Sequence, residues 1–318
     1  MTERAFIGID LGGTNVRAGL VDSAGTLRVW HDVPIEARQG PAAGLQRIIT
    51  LIERVVAEGG FKPAAIGFGA TGPVDHRHGI INNPYTLPTW EAVNVVAPLQ
   101  AHFGVPVVLE NDADVAALGE AWMGAGQGVD RLMVVTVGTG IGTAFILDGK
   151  IYRGAFANHP EGGHIPIDPN GPLCYCGANG CWEVLTSGNA IGAYARVQAV
   201  RKPTALLRMA GNDPEKIDSA LVAAAAREGD PLALEIVDRS ATYLALGLIN
   251  LLHLFLPDCV VFTGGVMRSM DLFEPRMRAI IARHAIMNPI DQTPLRMAQL
   301  GQLAGLYGAA RAAMAEVG

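Results

Sequence analysis

Two pairs of apolar runs, each pair wrapped around a glycine-rich tip, constrain this chain more than any other feature. Residues 5–22 read AFIGIDLGGTNVRAGLVD and residues 132–148 read LMVVTVGTGIGTAFILD. Strand-forming stretches on both sides of a short glycine cluster are the pattern of a β-hairpin. With Asp10 laid on Thr136, Gly12 falls on Gly138, Leu20 on Ile146 and Asp22 on Asp148, a constant offset of 126 residues. A hairpin recurring at that distance points to a duplicated α/β unit, two domains with a cleft between them. AAIGFGA (64–70), VPVVLE (105–110) and CVVFTGG (259–265) read as further buried strands that end in polar or glycine-rich loops. The alanine-rich stretches ADVAALGEAWM, SALVAAAAREG and QLAGLYGAARAAMAEV read as helices. We expect a small N-terminal domain over 1–114, a large domain over 115–301, and a C-terminal helix at 302–318 that packs back on the first. No low-complexity linker separates them, so a hinge rather than a tether is expected.

The 318 residues, half of them hydrophobic, can fill two medium cores. Thirty acidic and 24 basic residues give a formal charge of −6, and no Lys/Arg stripe offers a grip on a phosphate backbone, so no nucleic-acid partner is expected. Four cysteines, three of them crowded together, do not make a secreted disulfide framework. MTERAFIGID lacks the basic segment and long apolar run of a signal peptide, so a cytoplasmic protein is expected. The apolar stretch 241–262 is interrupted by Asn250 and His253 and stopped by Pro257, so it reads as a buried helix leading into a strand rather than a membrane span.

Glycine lets backbone N–H groups approach phosphate oxygens closely, because it has no Cβ. Gly12-Gly13-Thr14 offers such a loop behind Asp10, whose carboxylate could organise a hydrated Mg²⁺, and Gly138-Thr139-Gly140 offers a second. The plainer reading of both is a hairpin turn that needs positive φ. Gly67 to Gly72 is formally G-x-G-x-x-G, but PVDHRHGIINNP follows where a dinucleotide site needs a helix. No Walker motif is present. In VVLENDADVAALGEAW, Asn111, Asp112 and Asp114 stand where a strand gives way to a helix. An aspartate there can cap the helix or take a proton from an attacking hydroxyl, and spacing does not choose between Asp112 and Asp114.

Cys174, Cys176 and Cys181 with His164 supply three thiolates and one imidazole, a complete tetrahedral set for Zn²⁺. Four protein ligands leave no position for water, so such a metal would be structural. Cys259 lies in an apolar run and reads as core. Glu161 and Glu183 flank the cluster, where a rigid knot would fix their carboxylates for a polyhydroxylated ligand.

DLGGT, VGTGIG, ENDA, Glu161-Gly162-Gly163-His164, CYCGANGCWE and TGGV (263–266) occur in the order found in the ROK family of sugar kinases, which this chain resembles over essentially its whole length. The resemblance implies the actin-like, RNase H-type duplicated fold and an ATP-dependent hexose kinase, acting on a sugar hydroxyl, usually that at C6. It implies Asp112 as general base, and sugar contacts from Gly72, Asn111, Asp112, Glu161, His164 and Glu183. His164 would bind zinc through one ring nitrogen and face a sugar hydroxyl with the other. Asp10, Gly12, Gly13, Thr14, Gly138, Thr139 and Gly140 would serve MgATP, and Gly264 and Gly265 would border the adenosine. A homodimer is implied as well.

His159-Pro160-Glu161 is similar to the opening of the fructokinase branch, whereas C-x-C-G-x-x-G-C is of the glucokinase and N-acetylhexosamine kinase type. Glucokinase is the expected activity, with fructokinase or N-acetylmannosamine/N-acetylglucosamine kinase as the alternative. Some members of the family are sugar-sensing repressors with a helix-turn-helix ahead of DLGGT. Nine residues precede Asp10, so that role is not expected.

Overall fold

The computed structural model describes residues 4–155 and 158–318. They pack into two units, one built from the chain up to Asp130 with Ala144–Tyr152 and Ala298–Gly318, the other from Arg131–Thr143 and Arg153–Met297.

In the first unit the strands are β1 (Ala5–Leu11), β2 (Asn15–Asp22), β3 (Leu27–Pro34), β4 (Ile66–Ala70), the two-residue β5 (Val74–Asp75), β6 (Ile80–Ile81) and β7 (Val93–Asn94), and β8 (Val107–Asn111). The main sheet has the order β3-β2-β1-β4-β8, and β5-β6-β7 form a small separate sheet. β1 and β2 are the antiparallel hairpin, while β4 runs parallel to β1 and β8 parallel to β4.

Side chains alternate across β1, as a strand of period two requires. Ile7, Ile9 and Leu11 join a core with Ile48, Leu51 and Ile52 of the helix Pro41–Gly59. Phe6 joins a second core with Leu306, Ala310 and Met314 of the helix Ala304–Val317. That helix lies almost backbone to backbone on the sheet. A Cβ at Gly8 would strike the Leu306 carbonyl oxygen and one at Gly67 the Ala309 carbonyl oxygen. It also meets the helix Asp112–Met123, where a Cβ at Gly308 would strike the Val115 carbonyl oxygen. The C-terminal segment thus closes the first unit, and the helix Asp112–Met123 belongs to that packing.

The second five-stranded sheet comprises β9 (Arg131–Val137), β10 (Ile141–Leu147), β11 (Lys150–Ile151), β12 (Cys259–Thr263) and β13 (Leu295–Met297), in the order β11-β10-β9-β12-β13. β1 moved along by 126 residues lands on 131–137, the span of β9, and Asn15 moved likewise lands on Ile141, the first residue of β10. The two sheets share one strand order, so the duplication read from the glycine-tipped runs is present in the fold. It breaks at the third strand. β3 has eight residues and β11 two.

The apolar stretch that ends at Phe262 divides as its sequence requires. A helix spans Pro231–Phe255, with Asp230 as N-cap accepting the Ala233 N–H at 2.8 Å, and ends at Leu256 in left-handed conformation just before Pro257. β12 follows. No helix among the described residues is long and apolar enough to cross a membrane.

Candidate functional site

In the first unit the chain brings Asp10, the Gly12–Thr14 turn, Gly72, Asn111 and Asp112 to the ends of neighbouring strands. Asp10 lies on β1 on the face that meets Gly305, whose Cβ, were there one, would press on the Asp10 carboxylate. Arg17, its cross-strand partner, donates from Nη1 to Asp10 Oδ2 at 3.2 Å and from Nε to Asp32 at 3.1 Å. Burial pushes the Asp10 carboxyl above the usual carboxylate range, with Arg17 opposing it. In the turn, the Gly12 N–H donates to the Asn15 carbonyl at 2.9 Å and the Ile35 N–H to that of Thr14 at 2.9 Å.

Gly72 and Asn111 are neighbours, since a Cβ on Gly72 would come within 2.8 Å of Asn111 Nδ2. Asn111 closes β8 and caps the helix Asp112–Met123 through its Oδ1, which accepts the Ala113 N–H at 2.8 Å. Asp112 Oδ1 shares that N–H at 2.9 Å. Asp114 is buried, 2% exposed, whereas Asp112 is only partly covered. Sequence reasoning missed a polar cluster beside these groups. Asn83, 2% exposed, donates to the Thr86 hydroxyl at 2.7 Å and the Thr71 carbonyl at 3.3 Å, and the Thr86 carbonyl would lie 3.0 Å from a Cβ on Gly13. The Asn-Pro pair at 83–84, a turn signal, was the one trace of it in the sequence.

In the second unit β9 and β12 run parallel with Thr136 opposite Thr263, so the loops at Gly138–Gly140 and Gly264–Gly265 leave the same end of the sheet. Neither Gly138 nor Gly140 has positive φ, and neither do Gly12 and Gly13. The turn-geometry account of these glycines therefore fails. A Cβ on Gly138 or on Gly265 would meet nothing within 4 Å, while one on Gly140 would collide with the Glu183 carboxylate. Gly264 differs. Its φ is 98° and a Cβ there would strike the Val137 backbone, so fold geometry alone requires it.

Glu183 sits in the first turn of the helix Trp182–Thr186, and its Oε2 accepts the Ile141 N–H at 2.8 Å. Glu161 precedes a short turn pinned by Thr143, whose Oγ1 donates to the Pro160 carbonyl at 3.0 Å and accepts the Gly162 N–H at 2.9 Å. The turn packs so tightly that a Cβ on Gly162 would strike Thr143 and one on Gly163 the Ile141 carbonyl oxygen. His159 pairs with Glu161 at 3.2 Å, and its hydrogen bond holds the Glu161 carboxyl below the usual range.

His164, Cys174, Cys176 and Cys181 each present one donor atom, all within 4.8 Å of one another. The Cys176 and Cys181 sulfurs are 3.5 Å apart and unbonded, and the Cys174 sulfur is 3.5 Å from His164 Nδ1. Tetrahedral zinc with Zn–S near 2.3 Å has ligand–ligand edges of roughly 3.5–3.8 Å, so the donors fit that ion in kind and these two separations match such an edge. The other imidazole nitrogen, Nε2, lies 2.9 Å from the Tyr175 hydroxyl. Loss of solvent around that hydroxyl, and then the Glu183 carboxylate, push the Tyr175 phenol up to about 12.

A profile of the ROK family matches residues 6–316. Over 313 residues the chain is 34% identical to a glucokinase of Thermotoga maritima, across 98% of this chain and 97% of that protein. Its structure is similar to a ROK hexokinase from Thermus thermophilus, with TM-score 0.85, 34% identity, and 98% and 99% of the two chains covered. It is also similar to a ROK family glucokinase from Streptomyces griseus in complex with glucose and AMPPNP, with TM-score 0.78, 34% identity and the same coverage.

Proposed function

This chain belongs to the ROK family, and from that premise we propose that it is an ATP-dependent hexose kinase, a glucokinase that moves the γ-phosphoryl group of ATP to the C6 hydroxyl of the sugar. Its two sheets of like strand order are those of the actin-like fold that the family shares. The observation that carries the reading is the 34% identity, over 98% of this chain, to a glucokinase seen with glucose and an ATP analogue.

The proposed roles follow the chemistry of phosphoryl transfer, in which alignment and charge neutralisation supply most of the acceleration. Asp112 takes the proton of the attacking hydroxyl. Its partial exposure supports this assignment over the buried Asp114. Asn111 and Gly72 line the sugar beside it, and Glu161, His164 and Glu183 hold the remaining hydroxyls. Gly12, Gly13 and Thr14 with Gly138, Thr139 and Gly140 serve the phosphates of MgATP, Asp10 orders its Mg²⁺ through water, and Gly264 and Gly265 border the adenosine. The room beside Gly138 and Gly265, at backbone angles any residue can adopt, supports a ligand as the reason for glycine there.

His164, Cys174, Cys176 and Cys181 would hold a structural zinc, which when bound cross-links the loop 159–183 and stiffens the positions of Glu161 and Glu183. A cytoplasmic homodimer working in carbohydrate metabolism completes the reading. The test is a coupled ADP-release assay with MgATP and a panel of glucose, fructose, mannose, allose and N-acetylhexosamines. Turnover strongest on glucose is expected. Preference for fructose would follow the His159-Pro160-Glu161 opening instead, and no turnover on any sugar would overturn the kinase assignment.

A further inference from the structure

Tyr175 stands between two of the clustered cysteines, and no role follows for it from the family motif. The residue is 80% exposed, yet its hydroxyl has a partner within the protein. It lies 2.9 Å from His164 Nε2, with the phenol ring edge-on to the imidazole, centroids 4.9 Å apart and planes at 88°. His164 Nδ1 is turned toward Cys174, so Nε2 is the nitrogen left for a ligand. A hydroxyl on Nε2 is what a bound hexose would present to His164.

We propose that Tyr175 is an internal competitor for the sugar, its hydroxyl occupying on His164 the place of a sugar hydroxyl until hexose binding displaces it, so that this residue sets sugar affinity. The identity of the ligand rests on the kinase reading above. Displacement disturbs little else. The Cys174 N–H donates to the Ala178 carbonyl at 2.8 Å and the Gly177 N–H to the Cys174 carbonyl at 2.9 Å, so the turn is held by its own backbone and an exposed ring can rotate away without unravelling it. The sugar sees an affinity reduced by the fraction of molecules with Tyr175 swung out. A net hydrogen bond of ordinary strength makes that a factor of roughly 2–12.

Tyr175→Phe keeps the ring and removes the hydroxyl, and Tyr175→Ala removes both. We expect glucose binding without nucleotide, measured by calorimetry, to tighten roughly two- to twelvefold in both variants. KM for glucose should fall by the same factor, with kcat and the KM for ATP within about twofold of the parent. Unchanged sugar affinity in both variants would overturn the proposal. So would weaker binding, which would make Tyr175 a direct sugar contact. Failure of the kinase reading would look different. The parent enzyme would bind glucose without turnover, and the two variants would still report on Tyr175. A parent that binds no hexose at all would overturn both readings.

Discussion

Gly138→Ala separates the two reasons a glycine can stand in the second loop. The backbone there lies outside the left-handed region, and an added Cβ meets no heavy atom within 4 Å. The loop's own bonds are untouched by the change: the Gly138 N–H donates to the Gly140 carbonyl at 2.9 Å, and its carbonyl accepts the Gly188 N–H at 2.7 Å. Where alanine fits, its smaller unfolded-state entropy stabilises a protein by about 0.4–1 kcal/mol. Across a chain of this size that raises Tm by roughly 0.6–1.5 °C. If phosphate oxygens approach this backbone, the new methyl is forced against them at a cost of roughly 1–3 kcal/mol. The KM for ATP then rises roughly 5- to 150-fold while the KM for glucose stays near the parent value. Gly264→Ala is the contrast. At φ 98°, with its Cβ on the Val137 backbone, it should lose about 1–3 kcal/mol of stability. Thermal melts and the coupled assay at varied ATP decide the matter. A Gly138→Ala enzyme with unchanged ATP kinetics would refute the phosphate assignment, and one with a depressed Tm would refute the packing argument.

Asp112→Asn should lower kcat roughly 10²–10⁴-fold with glucose binding retained, and near-normal turnover would sink the assignment of the base. Metal analysis of purified protein should find about one zinc per chain, with removal by a chelator lowering Tm and releasing three reactive thiols; a metal-free protein whose clustered thiols react freely under native conditions contradicts the site. Burial pushes the Asp22 carboxyl up, but hydrogen bonds from the Thr26 and Ala24 N–H groups and from Arg28 outweigh it and leave the carboxyl below its ordinary value. A depressed folded-state pKa adds stability above the unfolded value near 3.9, lost as pH falls through the folded one, so Asp22→Asn should flatten the acid limb of a stability-versus-pH curve measured below about pH 4. An acid limb unchanged in that variant would show that other carboxylates carry it.

The hairpins were legible because period and composition are local. Seven mostly apolar residues before a glycine tip make β1 and β9 in either half, and the offset between them needs no tertiary information. The third strand of the repeat was not legible. Both β3 and β11 extend a hairpin already in a sheet, yet the first runs for eight residues and the second for two. The close seat of the helix Ala304–Val317 was written in the glycines at 8, 67, 119 and 308, but their meaning appears only when elements far apart in sequence are laid against one another.

The site divides in the same way. The cysteine spacing announced its cluster, since short loops leave thiols few places to go. The choice between Asp112 and Asp114 turns on burial, which two residues of helix decide and composition does not. What no spacing could reveal is that Glu183 bonds the Ile141 N–H, 42 positions away, and fills the space a side chain on Gly140 would need. That contact joins the acid proposed for the sugar to the loop proposed for the phosphates. A carboxylate that shifts to meet a sugar hydroxyl would strain or release the Ile141 N–H. Glycine at 140 thus has a reason separate from that at 138. One leaves room for a protein carboxylate, and at the other a side chain would stand in open space, although the sequence writes them as one repeated letter.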